Sequence, residues 1–218
     1  MTISNDTRDR FKKVFEPVAL GMGRLGLTPD ALTLVGFAIT AVGAVLIAMQ
    51  QWLLGGVVVF VGGVFDMFDG TLARATGKVS ALGAFMDSVL DRAGEVIVYV
   101  GLIAGLQAVG VIDGTVYAGA AMGSAVLVSY ARAKSEGLGF TSGTGMAAVG
   151  IMPREVRLVI LSVGLVLAGL LGTLREDTSC AGCAGGGAIL PGTWVLFIAL
   201  WIITIGSIIT VIQRILHV

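Results

Sequence analysis

Residues 52–91 read WLLGGVVVFVGGVFDMFDGTLARATGKVSALGAFMDSVLD. The first fourteen of them carry no charge, and the apolar run then meets Asp66 and Asp69 without a break. A helix needs about 20 residues to cross about 30 Å of hydrocarbon, and residues 52–72 supply that length. The run lacks the alternation of a barrel strand, and backbone polar groups in lipid must be paired within the segment. A membrane helix is the reading. Working outward, five further runs of similar kind lie at 31–49, 83–108, 115–133, 154–173 and 193–213.

The composition agrees. Of 218 residues, 56% are hydrophobic and 13% charged, with a mean hydropathy of +0.96. A soluble domain carries about 25% charged residues, so a water-soluble enzyme, a disordered chain and a nucleic-acid-binding chain are all excluded. Formal net charge is zero, which removes any argument from bulk charge for a polyanionic partner. The fold expected is an all-α integral membrane protein, one domain over 1–218. It comprises an amphipathic interfacial helix at 1–25 and a six-helix transmembrane bundle over 26–218. In the first segment Phe11, Val14, Phe15, Val18, Leu20 and Met22 interleave with Arg8, Arg10, Lys12, Lys13 and Arg24, the pattern of a helix lying on an anionic leaflet. The segment has no uninterrupted apolar core before a small-residue cleavage site, so it does not read as a cleavable signal peptide.

Basic residues set the orientation. Arg74, Lys78, Arg132, Lys134, Arg154, Arg157 and Arg214 fall on the side that also receives the N-terminus, whereas the opposite side holds only Arg175. The positive-inside rule places both termini in the cytoplasm of a cell-membrane protein. Glycine pairs such as Gly101/Gly105 and Gly119/Gly123 have the spacing that lets helix backbones approach closely. Cys180 and Cys183 stand in a glycine-rich external loop where a disulfide could persist. Two thiols without a nearby histidine do not complete a zinc site.

The chemistry concentrates in four carboxylates. Asp66 and Asp69 stand at i and i+3, Asp87 and Asp91 at i and i+4 on the following helix, so each pair shares a helical face. A charge within a span costs about 2.5–3.5 kcal/mol on insertion scales and marks function by default. Capping or surface ion pairing accounts for one or two such residues, not for four facing one another. Divalent cations neutralise the set directly, because carboxylate oxygens are hard ligands for Mg²⁺ or Mn²⁺. Gly70 removes a side chain beside two carboxylates, and Arg74 stands one turn on, placed to pair with a phosphate.

Written out, the segment is D66-x2-D69-G70-x2-A73-R74-x8-G83-x3-D87-x3-D91, eight specified positions across 26 residues. It resembles the signature of the CDP-alcohol phosphotransferases at every fixed position. That resemblance implies six transmembrane helices, a cytoplasmic-side site with two metal ions, and transfer of a substituted phosphate from a CDP-linked lipid to an alcohol with release of CMP. It implies that Asp66, Asp69 and Asp87 hold one metal, and that Asp66, Asp87 and Asp91 hold the other. Asp91 is then the general base. Gly70, Arg74 and Ser80 match positions that hold the CDP-lipid, and the T-P-D element implies the same of Pro29, Asp30, Ala31 and Leu32. Thr28 and Pro29 also make an ordinary helix start. A homodimer follows from the resemblance alone.

The acceptor is read from the second half. Arg132 and Lys134 close the fourth span, Arg154 and Arg157 open the fifth, and Arg214 ends the sixth. Snorkelling at the membrane edge explains such residues singly. Together they suit a phosphomonoester, which arginine binds in a fork. The stretches Y-A-R-A-K-S-E at 130–136 and P-R-E-V-R at 153–157 look most like the phosphatidylinositol phosphate synthase branch of the family. The expected donor is CDP-diacylglycerol and the expected acceptor inositol 1-phosphate. Glycerol 3-phosphate is the alternative acceptor, and a cation transporter the remote alternative.

Overall fold

The helices begin and end where local chemistry directs. The computed structural model describes residues 17, 21, 23, 27–77, 79–140, 149–172 and 191–218. Apart from the helical positions Pro17, Gly21 and Gly23, the interfacial helix expected over 1–25 lies outside the described residues, as do Lys78, Cys180 and Cys183. Helix α1, Pro29–Ala48, starts as the sequence implies: Thr28 Oγ1 accepts the Ala31 N–H at 3.2 Å, and Pro29 takes the first turn. Helix α2, Trp52–Thr76, stops at Gly77, whose φ of 66° is left-handed. Ser80 caps α3, Ala81–Ala108, by accepting the Gly83 N–H at 2.9 Å. Helices α4, Ile112–Gly137, α5, Arg154–Leu170, and α6, Pro191–His217, complete the described set. Each of the six predicted apolar runs is a helix.

The helices close a ring in the order α1, α2, α5, α6, α4, α3, with α3 returning to α1. Leu102, Leu106, Ala118, Leu165, Leu196 and Leu200 form its interior, none more than 1% exposed. The outer faces are apolar too: Val42, Val45, Leu54, Val116, Ile198 and Ile205 are exposed. This is the surface expected of helices solvated by lipid. Among the described residues, α1, α2, α4 and α6 are long and apolar enough to cross a membrane. Helix α3 carries Asp87, Asp91, Arg92 and Glu95 in its first half, and α5 has 17 residues opening on Arg154, Glu155 and Arg157. Charge sets these two apart, and it gathers at one end.

Glycine makes the close approaches. A Cβ on Gly43 would stand 2.7 Å from Val59 Cγ2, and one on Gly55 would stand 2.5 Å from Ile47 Cγ1. On the other side of α1, Cβ atoms on Gly101 and Gly105 would lie 2.3 and 2.5 Å from the carbonyl oxygens of Ala44 and Ile47. The Gly101/Gly105 pair therefore packs as its spacing implies. Gly119 and Gly123 make no such approach: a Cβ on either would meet no neighbouring helix within 4 Å among the described residues. Gly101→Ala should destabilise by about 1–3 kcal/mol through overpacking. Gly119→Ala should be neutral or stabilise by up to about 1 kcal/mol through helix propensity. Thermal unfolding of the two variants in detergent reads this opposite sign.

Candidate active site

Consecutive helices reverse direction, so α1, α3 and α5 begin at the end of the ring where α2, α4 and α6 finish. Asp66 and Asp69 come to this end on α2, Asp87 and Asp91 on the facing first turns of α3. The four carboxylates converge. Asp87 acts electrostatically on Asp66, Asp69 and Asp91, and Asp66 acts on both Asp69 and Asp91. Asp69 is buried, with Oδ2 accepting from Thr33 Oγ1 at 2.6 Å and Oδ1 accepting from the Gly70 amide.

A single arginine ties the two helices together. Arg154, the first residue of α5, donates from Nη2 to Asp66 Oδ2 at 2.8 Å and stands 2.7 Å through Nη1 from Asp91 Oδ1. Its Nε is buried and has no partner. One turn along α5, Arg157 is 1% exposed and makes a fork to Glu95, with Nε to Oε1 at 2.7 Å and Nη2 to Oε2 at 2.8 Å. Arg157 Nη1 also donates to the Met152 carbonyl at 2.9 Å. The Met152 amide in turn donates to Thr210 Oγ1 at 3.0 Å. Residues 152–157 are thus fixed against α3 and α6, and Arg154 is held over the carboxylates.

The residues expected to hold the CDP-lipid share this end. A Cβ on Gly83 would lie 2.9 Å from Ser80 Oγ and 3.0 Å from Asp30 Oδ1, so the starts of α1 and α3 are adjacent. Pro29 and Ala31 are partly exposed beside Asp30. Leu32 is different: its side chain packs in a small core with Phe68 and Leu72. The open side of Gly70 faces the Arg74 guanidinium, 3.5 Å from where a Cβ would stand. Arg74 is exposed and makes no ion pair among the described residues.

The basic residues divide. Arg132 is paired with Glu136 at 2.9 Å, and Lys134 is exposed. Arg214 is buried, donating to the carbonyls of Val149 at 3.1 Å and Val128 at 2.5 Å, and it lies in electrostatic range of Arg132, Arg157 and Arg92. Arg157 departs from the expected anion pocket: its fork is spent on Glu95, and it has no exposed face to offer a ligand.

Two residues near the site, Thr33 and Gly36, escaped the sequence reading, and a third, Glu95, stands one turn after Asp91 with a role the sequence does not show. Thr33 holds Asp69. Gly36 makes room for Asp66, whose Oδ1 would lie 2.3 Å from a Cβ there. Glu95 anchors Arg157. The available signal for the first two was the small-residue stripe Thr33, Gly36, Thr40, Gly43 at three- and four-residue spacing along α1.

The donor set fits hard divalent ions: four carboxylates, with neither imidazole nor thiolate beside them among the described residues. Arg154, with Arg92 at 3.8 Å from Asp91, leaves the group negatively charged. Among the described residues, no three acidic, histidine or cysteine side chains are grouped as a ready-made cage. Arg154 stands between Asp66 and Asp91, and Asp69 is turned to Thr33 and Gly70.

Known proteins are similar to this chain in sequence and fold. The chain is 35% identical over 156 residues to the archaetidylinositol phosphate synthase of Pyrococcus horikoshii, covering 72% of this chain and 78% of that one. It is 32% identical to the phosphatidylinositol phosphate synthase of Mycolicibacterium smegmatis, over 96% and 85% of the two chains. The Mycobacterium tuberculosis phosphatidylinositol phosphate synthase, solved with CDP-DAG bound, superposes with a TM-score of 0.74 at 27% identity, covering 94% of this chain and 93% of that one. The same enzyme solved with manganese and citrate gives 0.73 at 26% identity, covering 93% and 88%. The model of the CDP-alcohol phosphatidyltransferase family matches residues 26–212, a span that contains all eight positions of the aspartate signature. The chain belongs to the CDP-alcohol phosphatidyltransferase family.

Proposed function

We propose that the protein transfers the phosphatidyl group of CDP-diacylglycerol to inositol 1-phosphate, giving phosphatidylinositol phosphate and CMP. The observation that carries this reading is the meeting of four carboxylates with Arg154, whose buried Nε has no partner, at the ring end where Arg132, Lys134 and Arg214 also gather. Asp66, Asp69 and Asp87 hold one divalent ion, and Asp66, Asp87 and Asp91 a second, Mg²⁺ or Mn²⁺. Bound there, the ions offset the pyrophosphate charge and stabilise the departing CMP. Asp91 takes the proton from the attacking inositol hydroxyl. Arg74 and the bare backbone at Gly70 receive the donor phosphates, with Ser80, Pro29, Asp30 and Ala31 beside the nucleotide and Leu32 backing them from the core. Arg154, Arg132 and Lys134 receive the acceptor phosphate, Arg214 lends its charge from a buried place at the end of α6, and Arg157 keeps α5 in place.

All six helices cross the cell membrane in this reading, with the interfacial helix preceding them. The ring end that bears the site also bears Arg74, Arg132, Lys134, Arg154, Arg157 and Arg214. No described lysine or arginine lies in the links at the other end. By the positive-inside rule that asymmetry supports reading the site and both termini as cytoplasmic. The face of α4 at Gly119 and Gly123 is available to a second copy, in line with a homodimer.

CMP release from CDP-diacylglycerol tests the acceptor. Turnover is expected with inositol 1-phosphate and at most a small fraction of it with glycerol 3-phosphate or unphosphorylated inositol. Turnover confined to glycerol 3-phosphate would keep the reaction class and overturn the acceptor.

A further inference from the structure

Arg154 occupies a position that two different ligands need. Its guanidinium is bonded to one oxygen each of Asp66 and Asp91, and both residues belong to the proposed metal set. A divalent ion shared by these carboxylates would sit beside a fixed positive charge, so ion and guanidinium compete for the same partners. Yet the arginine is incompletely satisfied there. Its Nε is buried without an acceptor, an arrangement that leaves a donor to be filled by a further oxyanion. The backbone beneath it is pinned by the contacts of Met152 and Arg157, whereas the side chain itself is 21% exposed. The side chain can therefore change partners without movement of α5.

We propose that Arg154 is an exchangeable cation: it neutralises Asp66 and Asp91 until divalent ions displace it, and the displaced guanidinium then becomes the principal ligand of an acceptor phosphate. Metal binding accordingly precedes acceptor binding. By linkage, metal and phosphate must each tighten the other by the same factor. The phosphate half rests on the function proposed above. The metal half does not, since it involves only residues of this chain and the ion.

The experiment is a Mn²⁺ titration of the purified full-length protein in detergent, without substrate, followed by the electron paramagnetic resonance of free Mn²⁺. Arg154→Gln removes the competitor and should lower the apparent Kd for Mn²⁺ by tenfold or more; equal or weaker affinity would overturn the proposal. If that variant does not fold, Arg154→Lys decides the matter, because one ammonium cannot bridge both carboxylates as the guanidinium does. It should bind Mn²⁺ several-fold more tightly than wild type, and equal or weaker binding overturns the exchange. Inorganic phosphate is the second probe. Mn²⁺ should tighten its binding to wild type by tenfold or more and to the Arg154 variant by much less. An equal effect in both proteins would show phosphate bound to the metal alone and would overturn the arginine's second role. Failure of inositol 1-phosphate as substrate would leave the Mn²⁺ result standing, so the two readings fail separately.

Discussion

Asp91→Asn is expected to lower CMP release by about 10²–10⁴-fold, the range over which a positioned base contributes. The substitution keeps the shape of the side chain and one acceptor oxygen, so the fold should survive. It removes the atom that takes the proton, and one oxygen of a site where Asp66 and Asp87 remain. Asp91 stands on the same face of α3 as Asp87, one turn further into the ring, and among the described residues its ion pairs are with Arg154 and, at 3.8 Å, Arg92. Its pair with Arg154 joins α3 to α5, but Arg154 keeps Asp66 and the Glu95–Arg157 fork joins the same two helices one turn on, so its loss should cost the fold little. The diagnostic result is a collapsed kcat with an unchanged unfolding temperature and with Mn²⁺ still bound. A D91N protein within threefold of wild-type turnover would remove Asp91 from the role of base.

The largest effect on stability should come from the Glu95–Arg157 pair. Glu95 is 13% exposed at the side chain and Arg157 1%, and together they make two short bonds between α3 and α5. Removing one partner strands the other charge in the bundle, at a cost of about 3–5 kcal/mol. Glu95→Ala should therefore lower the unfolding temperature sharply. Arg157→Leu alone should do the same. Replacing both with leucine should recover most of the loss, because a buried ion pair gains little over well-packed apolar residues. The activity of the double variant is the more informative number. If the pair serves to hold residues 152–157 under Arg154, the stable double variant should show a raised KM for the acceptor with a smaller change for CDP-lipid. Thermal unfolding and the two KM values together separate packing from positioning.

The contrast between Arg154 and Arg157 shows where the sequence stops being legible. They are three residues apart on one helix face, and both read as candidates for an anion pocket. In the ring, one reaches the carboxylates of α2 and α3 while the other turns inward to Glu95. Spacing fixes which residues share a face of their own helix. It does not fix how that helix is rotated toward its neighbours, and that rotation assigns each arginine its partner. The same limit hid Thr33 and Gly36, whose importance depends on α2 lying against α1. By contrast, the helices, the Thr28 cap and the pairing of the aspartates were readable, since each follows from length, local capping chemistry or helical period. Leu32 shows an intermediate case: its place in the first turn of α1 was readable, but its packing against Phe68 and Leu72 was not.

The central claim is that the four aspartates run a metal-dependent transfer from a CDP-lipid to a phosphorylated alcohol. Its most direct test is CMP release by EDTA-stripped protein given CDP-diacylglycerol and inositol 1-phosphate, with and without Mn²⁺ or Mg²⁺. The account predicts CMP and phosphatidylinositol phosphate in equal amounts, only after a divalent ion is restored, and neither product from an Asp66→Asn variant. CMP release that ignores the ion, or full activity in that variant, would contradict it.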